Sequence, residues 1–363
     1  MSEKTIIEGA LILDGFFENE SLWEKFASLL EEIETFPKSM PWNGLSSWKI
    51  DVSVHRKKNN EEIIPPLRWD IPAISKKNRA SAALIFTCKP SHPKSDLSFD
   101  YDCAECLFQD FAKSFIFIAN ISHPGCFSVL SITIRNNDGA VEEYPGFVPH
   151  FDGALRYIHE TGWPELIELH FIDVYRWVYS NGFHVRSGDS PISRAFNAFT
   201  WLFGEVGKDN PFSLVSTLLG IEALFSTNSS DVTEQVRHRA QLLLGERTSF
   251  KKDLTKMYAA RSSFIHGQTL LSPNGYSWGP PEETLLKMEK TYNGQDIANA
   301  VLLASLQRLA TNNWNSLEYQ EKVVGFSNDD SSYIEETTKG INIPMLYVES
   351  IDKWIEKYTK IFE

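Results

Sequence analysis

Long apolar runs are missing from this chain. Stretches such as residues 115–119 and 301–306 fall far short of the roughly 20 residues that a membrane-crossing helix needs, so a membrane is not an expected partner. The opening MSEKTIIEGA carries no basic start, apolar block or small-residue cleavage site, and without a secretory signal the expected location is cytoplasmic. Cysteine is scarce: 4 residues in 363 exclude a disulfide scaffold. Cys103 and Cys106 form one CxxC pair between Cys88 and Cys126, but a zinc knuckle requires a second close pair. His92 and His123 stand at spacings that match no zinc pattern. The thiols are therefore expected to be ordinary, partly buried side chains, with no metal and no cofactor. Excess positive charge is also lacking, since 35 Lys and Arg against 48 Asp and Glu leave a net charge of −13. That balance argues against nonspecific coating of nucleic acid.

What is present is the composition of a folded protein, with 42% hydrophobic and 13% aromatic residues. The length suits two domains better than one. The acidity is uneven: residues 1–190 carry 27 acidic and 18 basic side chains, whereas residues 191–320 carry 12 of each. A local basic cleft in that neutral stretch remains compatible with an RNA partner.

The chain reads as α+β. Leu22, Trp23, Phe26, Leu29, Leu30 and Ile33 recur at helical spacing and predict a helix over about 20–36. Short apolar or alternating runs at 47–55, 82–88, 114–119, 127–134 and 167–178 then predict strands, separated by turn clusters that include Pro65-Pro66 and Pro145-Gly146. Residues 1–185 are accordingly expected to form a mostly antiparallel β domain with helical additions. From 186 the texture changes to an all-helical bundle reaching about 320. Ser190-Pro191 supplies an N-cap and a first-turn proline; Asn210-Pro211 opens a second helix through Phe225. A third begins at Asp231, with Glu234 placed for a capping box, and ends at Gly245. The fourth covers about 250–266 and the fifth about 296–317, with a long loop between them that contains Trp278. Residues 321–363 are expected to be a helical extension, with Ile351, Trp354, Ile355, Tyr358 and Phe362 as its stripe.

The chemistry concentrates in the fourth helix. Leu254, Met257, Tyr258, Phe264 and Ile265 mark its apolar face, and Arg261 projects from the middle of it at about 100° per residue. A guanidinium in such a stripe requires an anion or a cleft, and the sequence offers no evident partner for it on the same chain. Ser262 and His266, four apart, share an adjacent flank. The string Tyr258-Ala259-Ala260-Arg261-Ser262-Ser263-Phe264-Ile265-His266-Gly267 resembles the R-x4-6-H signature of HEPN domains. The segments Leu219-Gly220-Ile221-Glu222-Ala223-Leu224-Phe225 and 236–244 are similar to the Apea-like subgroup. The resemblance covers about 190–315.

This resemblance implies a HEPN helical bundle and a dimeric, metal-independent endoribonuclease of the kind found in bacterial antiviral or toxin systems. Arg261, His266 and Ser262 would be its catalytic residues, RNA its substrate and a second copy of the chain its partner. A trigger molecule would act at the N-terminal domain. Ser262 stands where the family usually carries Asn, Asp or His. The alternative is a catalytically inactive HEPN adaptor that binds RNA, a nucleotide or a protein. From the residues themselves, Glu222 is expected to tie the bundle together. Arg237, His238 and Arg239 are expected to form a solvated helix face, with an RNA path as the rival reading.

Overall fold

The computed structural model describes residues 7–15, 20–35, 40–42, 45–56, 82–90, 101–135, 141–149, 151–183, 190–205, 212–268, 282–325 and 332–341. Its architecture is mixed α+β. One seven-stranded sheet has the order β2-β3-β4-β1-β5-β6-β7, from β1 (Ile7–Gly15), β2 (Met40–Trp42), β3 (Leu45–Arg56), β4 (Ala82–Pro90), β5 (Phe127–Arg135), β6 (Val141–Pro149) and β7 (Phe203–Glu205). Every adjacent pair is antiparallel. The central strand β1 is apolar on both faces, with Ala10, Leu11, Ile12 and Leu13 all buried. A strand covered on both sides shows no alternation, and for that reason it escapes a pattern search. In β6, Pro145-Gly146 is not the turn expected from its composition. It lies within the strand, where a Cβ on Gly146 would come 1.8 Å from the Val129 carbonyl oxygen. Only glycine permits that approach.

Helix α1 (Glu20–Glu34) forms as its periodicity predicts and buries Phe26, Leu29, Leu30 and Ile33. Two expected strands are helices instead. Residues 114–119 lie in α2 (Tyr101–Ser122). This helix is wedged between sheet and bundle, so Phe115 meets both Phe86 at 5.5 Å and Phe171 at 4.8 Å, while Phe117 meets Phe203 at 4.8 Å. From Ala112 to Ser122 most of its side chains are buried, so this stretch lacks the polar face that would betray its period. After α3 (Asp152–Thr161), residues 167–178 largely become α4 (Phe171–Ser180). Phe171, Val174, Tyr175 and Val178 carry the helical spacing there.

The helical half comprises α5 (Pro191–Phe199), α6 (Ser213–Phe225), α7 (Val232–Leu244), α8 (Phe250–Ile265) and α9 (Glu282–Thr311). The Ser190 hydroxyl accepts the Ser193 N–H at 3.0 Å as the N-cap. The expected capping box at Asp231 does not form. Asp231 takes φ 51° without a side-chain cap, and Glu234 turns to the Arg237 guanidinium. The first of these helices stops at Phe199, so that Phe203 can enter β7 against β6. The last starts at Glu282, fourteen residues before the expected Asp296, which shortens the long loop. Trp278 lies outside the described residues. Beyond α9, β8 (Ser316–Gly325) and β9 (Ser332–Ile341) form an antiparallel hairpin, where a helical extension had been expected from 321. The expected stripe from Ile351 to Phe362 lies outside the described residues.

The apolar core runs without interruption from sheet to bundle. Polar ties cross it as well. The Gln307 side chain of α9 donates to the Ile121 carbonyl at 2.8 Å and accepts the Ile167 N–H at 2.9 Å. The Trp177 indole donates to the Trp314 carbonyl at 2.7 Å, and the Tyr319 hydroxyl to the Leu224 carbonyl at 2.8 Å. Among the described residues no helix is long and apolar enough to cross a membrane.

Candidate functional site

Helix α8 is held at its start by charge and at its end by glycine. Asp253 in the first turn is buried, and one of its oxygens accepts the Arg247 Nε–H and the Tyr157 hydroxyl, each at 2.9 Å. The Arg247 guanidinium sits over the rings of Tyr157 and Trp163, 5.4 and 5.7 Å from their centroids. Burial and the neighbouring Asp253 carboxylate push the Tyr157 phenol well above its ordinary range. At the other end Gly267 takes φ +68° and donates to the Phe264 carbonyl at 3.1 Å, a left-handed helix stop.

Arg261 leans toward α6. Its Nη1 lies 3.4 Å from the Glu222 carboxylate, with side chains 30% and 19% exposed. The partner that the sequence did not reveal is therefore Glu222, which ties α6 to α8 as expected for it. The pair leaves the guanidinium incompletely satisfied: Arg261 Nε is buried without a hydrogen bond, although arginine presents five donors. Tyr258 lines the same place, and burial together with the Glu222 carboxylate raises its phenol far above the ordinary range.

Ser262 and His266 are exposed. His266 occupies the turn that closes α8, its backbone N–H donating to the Ser262 carbonyl at 3.0 Å. Its ring has no hydrogen-bond partner among the described residues. At about 100° per residue, His266 falls roughly 40° from Ser262 and roughly 140° from Arg261 around the helix. No side-chain hydrogen bond or ion pair joins Arg261, Ser262 and His266, so one subunit brings Arg261 to Glu222 and leaves His266 on another flank. Ile265, expected on the buried stripe, is 55% exposed. It shares its exposure with Phe212 at 56% and Leu219 at 53%, while Phe264 packs edge-on against Phe212 at 5.8 Å.

The three neighbouring basic residues of α7 divide. Arg237 is half-buried beside Glu234 and His238 is exposed, but Arg239 is buried and belongs to neither expected reading. Its Nη1 donates to the Phe225 carbonyl, Thr227 and Gln235 at 2.9–3.1 Å, and its guanidinium lies 4.3 Å from the Tyr319 ring centroid. It therefore closes the end of α6 rather than facing RNA.

For the cysteines, Cys126 is buried and burial holds its thiol protonated, above the ordinary range. The side chains of Cys88, Cys103 and Cys106, and all of His92, lie outside the described residues. The His123 ring instead meets the Ser122 hydroxyl at 3.0 Å and the Glu32 carboxylate at 3.6 Å. Among the described residues no three His, Cys, Asp or Glu side chains are grouped to hold a metal ion.

On the flank of α8 away from Glu222, a cleft of about 560 Å³ opens toward α9, with Lys256 on one wall and Lys290 on the other. It is the feature that sequence reasoning missed. Lys256, Ala259, Ala260 and Ser263 recur at helical spacing, and only the far wall was hidden in what read as loop. Comparison of the chain with protein-family models, with curated proteins and with solved structures finds no match.

Proposed function

We propose that the chain is a metal-independent endoribonuclease that acts as a homodimer through its helical half, a HEPN bundle. The observation that carries this reading is the unsaturated guanidinium of Arg261, held by a single carboxylate contact on a helix whose last turn presents a free imidazole. RNA supplies its own nucleophile. His266 takes the proton from a ribose 2′-hydroxyl, the oxygen attacks the adjacent phosphorus, and the bond to the 5′ oxygen breaks as that oxygen is reprotonated. Arg261 stabilises charge on the non-bridging oxygens as it develops, and Ser262 donates to the phosphate or orients His266. The products carry 2′,3′-cyclic phosphate and 5′-hydroxyl ends, and DNA is spared.

The wide angle between Arg261 and His266 on one helix favours a composite site, in which a second copy covers the exposed apolar side chains Phe212, Leu219 and Ile265. In this reading the N-terminal β-rich region senses a trigger and restrains the nuclease, and the whole serves bacterial antiviral defence or a toxin system. A non-catalytic adaptor is the second reading, favoured by the Glu222 contact that already occupies Arg261. Purified protein incubated with total RNA, beside His266→Ala protein and a DNA control, separates the two. Cyclic-phosphate ends that require His266 support the nuclease; intact RNA at every protein concentration leaves the adaptor.

A further inference from the structure

One carboxylate ties three helices together at the corner where the sheet meets the bundle. It belongs to Glu32 of α1, whose side chain is 19% exposed. One oxygen accepts the Phe171 N–H that opens α4. The other lies 3.1 Å from His170 Nδ1 and 3.6 Å from Nε2 of His123, the residue that follows α2. Helix α9 grips the same corner from the bundle side, since Gln307 holds the backbone of Ile121 and Ile167 and Arg308 holds Glu165. The two imidazoles differ in setting: the His170 side chain is 75% exposed and that of His123 only 9%. The Nδ1 of His123 lies 3.0 Å from the Ser122 hydroxyl. The single hydrogen of that hydroxyl turns back to the Ala119 and Ile118 carbonyls, at 3.1 and 3.3 Å. The hydroxyl therefore accepts from Nδ1–H, and the Nε2 lone pair is left facing Glu32. A second proton would enter the ring at Nε2.

We propose that this corner is a proton-operated clasp: a proton taken up by His123 loosens the seat of α4 on α1 and α2, and with it the grip between the β-rich half and the helices. The direction follows from what faces the ring. Burial acts most strongly, against the charged form. Glu32 pulls the other way, Lys25 of α1 and His170 add to burial, and Glu168, ahead of α4, adds to Glu32. The opposing influences win, and His123 lies below its ordinary value of 6.5. An imidazole that ionises less readily in the closed corner than in an open one makes acid favour opening. The clasp is therefore fully held above about pH 6.5 and slackens as pH falls below it. Asp296 acts in the opposite direction and lies against Gly153 at the start of α3, so it does not mimic this response. Neither Arg261 nor His266 takes part, and the clasp stands whether or not the chain cuts RNA.

Hydrogen exchange on the full chain tests this through the peptide that holds the first turn of α4, with rates corrected for the intrinsic effect of pH. From about pH 7.5 to about 5.5 the corrected opening should rise several-fold, with about tenfold the ceiling for one proton whose open-state value is ordinary. His123→Gln keeps a polar side chain that cannot ionise and should remove the acid response, whereas His170→Gln should retain it. Lys25→Ala, at a partly exposed position, takes away a repelling charge and should move the onset to higher pH. A histidine with a merely structural role would not show that shift, and the variant leaves the buried ring in place should glutamine at 123 prevent folding. Proton NMR of the imidazoles should find one that titrates below the ordinary range and is missing from His123→Gln. The proposal is overturned if the first turn of α4 opens equally at both pH values, if His123→Gln keeps the acid response, if His170→Gln removes it, or if Lys25→Ala leaves the onset unmoved.

Discussion

Removing Arg261 separates a catalytic arginine from a structural one. In the fold, Arg261→Ala leaves the Glu222 carboxylate, 19% exposed, without its cation. Fully exposed pairs contribute about 0.2–1 kcal/mol and breaking a buried pair costs about 3–5 kcal/mol. With Arg261 itself 30% exposed, solvent screens part of the interaction, and the expected loss is about 1–2 kcal/mol. Glu222→Gln in the Arg261→Ala background removes the stranded charge and should recover most of that stability. Catalysis should not follow. Loss of a donor that stabilises transition-state charge costs about 100- to 1,000-fold in rate, and no repair at position 222 replaces it. Glu222→Gln alone should keep or raise activity, because it releases the guanidinium to the phosphate. Urea unfolding and single-turnover cleavage of a labelled RNA, run on all four proteins, give both axes. Cleavage by Arg261→Ala within about twofold of the unaltered chain, or recovery of rate together with stability in the double variant, would refute the catalytic assignment.

Four further outcomes follow from the same geometry. Mixing Arg261→Ala with His266→Ala subunits should restore cleavage, since each heterodimer keeps one of each group. Activity linear in protein concentration, with a monomer by sizing, would defeat the composite site. Cleavage should persist in EDTA, because the proposed steps use only side chains and the substrate's hydroxyl; loss that only added Mg²⁺ reverses would contradict this. Asp253→Ala should cost about 3–5 kcal/mol in urea unfolding, because it strips Arg247, 17% exposed, of its counter-charge; a loss below about 1 kcal/mol would assign that arginine to its aromatic cage. Asp296, pushed up to about 6 chiefly by burial, with Asp152 adding to it and Arg156 opposing it, binds its proton more readily folded than unfolded. Its contribution is thus fully present below the unfolded value near 3.8 and lost as pH rises through about 6. After discounting for solvent screening it amounts to on the order of 1–2 kcal/mol. Asp296→Asn should flatten the stability profile across that window, and an unchanged slope in thermal unfolding would reject the assignment.

The helices with one wet face were legible in the sequence. Residues 20–34, 232–244 and 250–265 have partly exposed flanks, so their period survives in the residue order. Residues 114–119 did not read as helix because both sides of α2 are covered, and the strand at 7–15 was overlooked because burial on both faces erases alternation. Pro145-Gly146 misled for a different reason: the glycine answers a steric demand from the neighbouring strand, which local composition does not record. At the site, the strings around Arg261 and Glu222 identified two ends of a contact 39 residues apart without showing that they meet. The 140° turn between Arg261 and His266 was implicit in their spacing. The second wall of the cleft was not, since Lys290 and Asn293 fall where a loop was expected and the helix in fact begins at Glu282.

The reach of Gln307 has a consequence for the order in which the chain matures. Its amide joins backbone groups 186 and 140 residues earlier, and the helix that carries it also packs on α2 through α8. During synthesis the sheet strands and the early helices therefore emerge long before the element that covers them. Until α9 leaves the ribosome, at about 5–20 residues per second, the apolar side chains that it will bury lack their cover on that side. Closure is thus a late and largely all-or-none event, slow in the way that long-range contacts make folding slow. Nascent chains that stop short of residue 282 should draw chaperones and proteases, while completed chains should not.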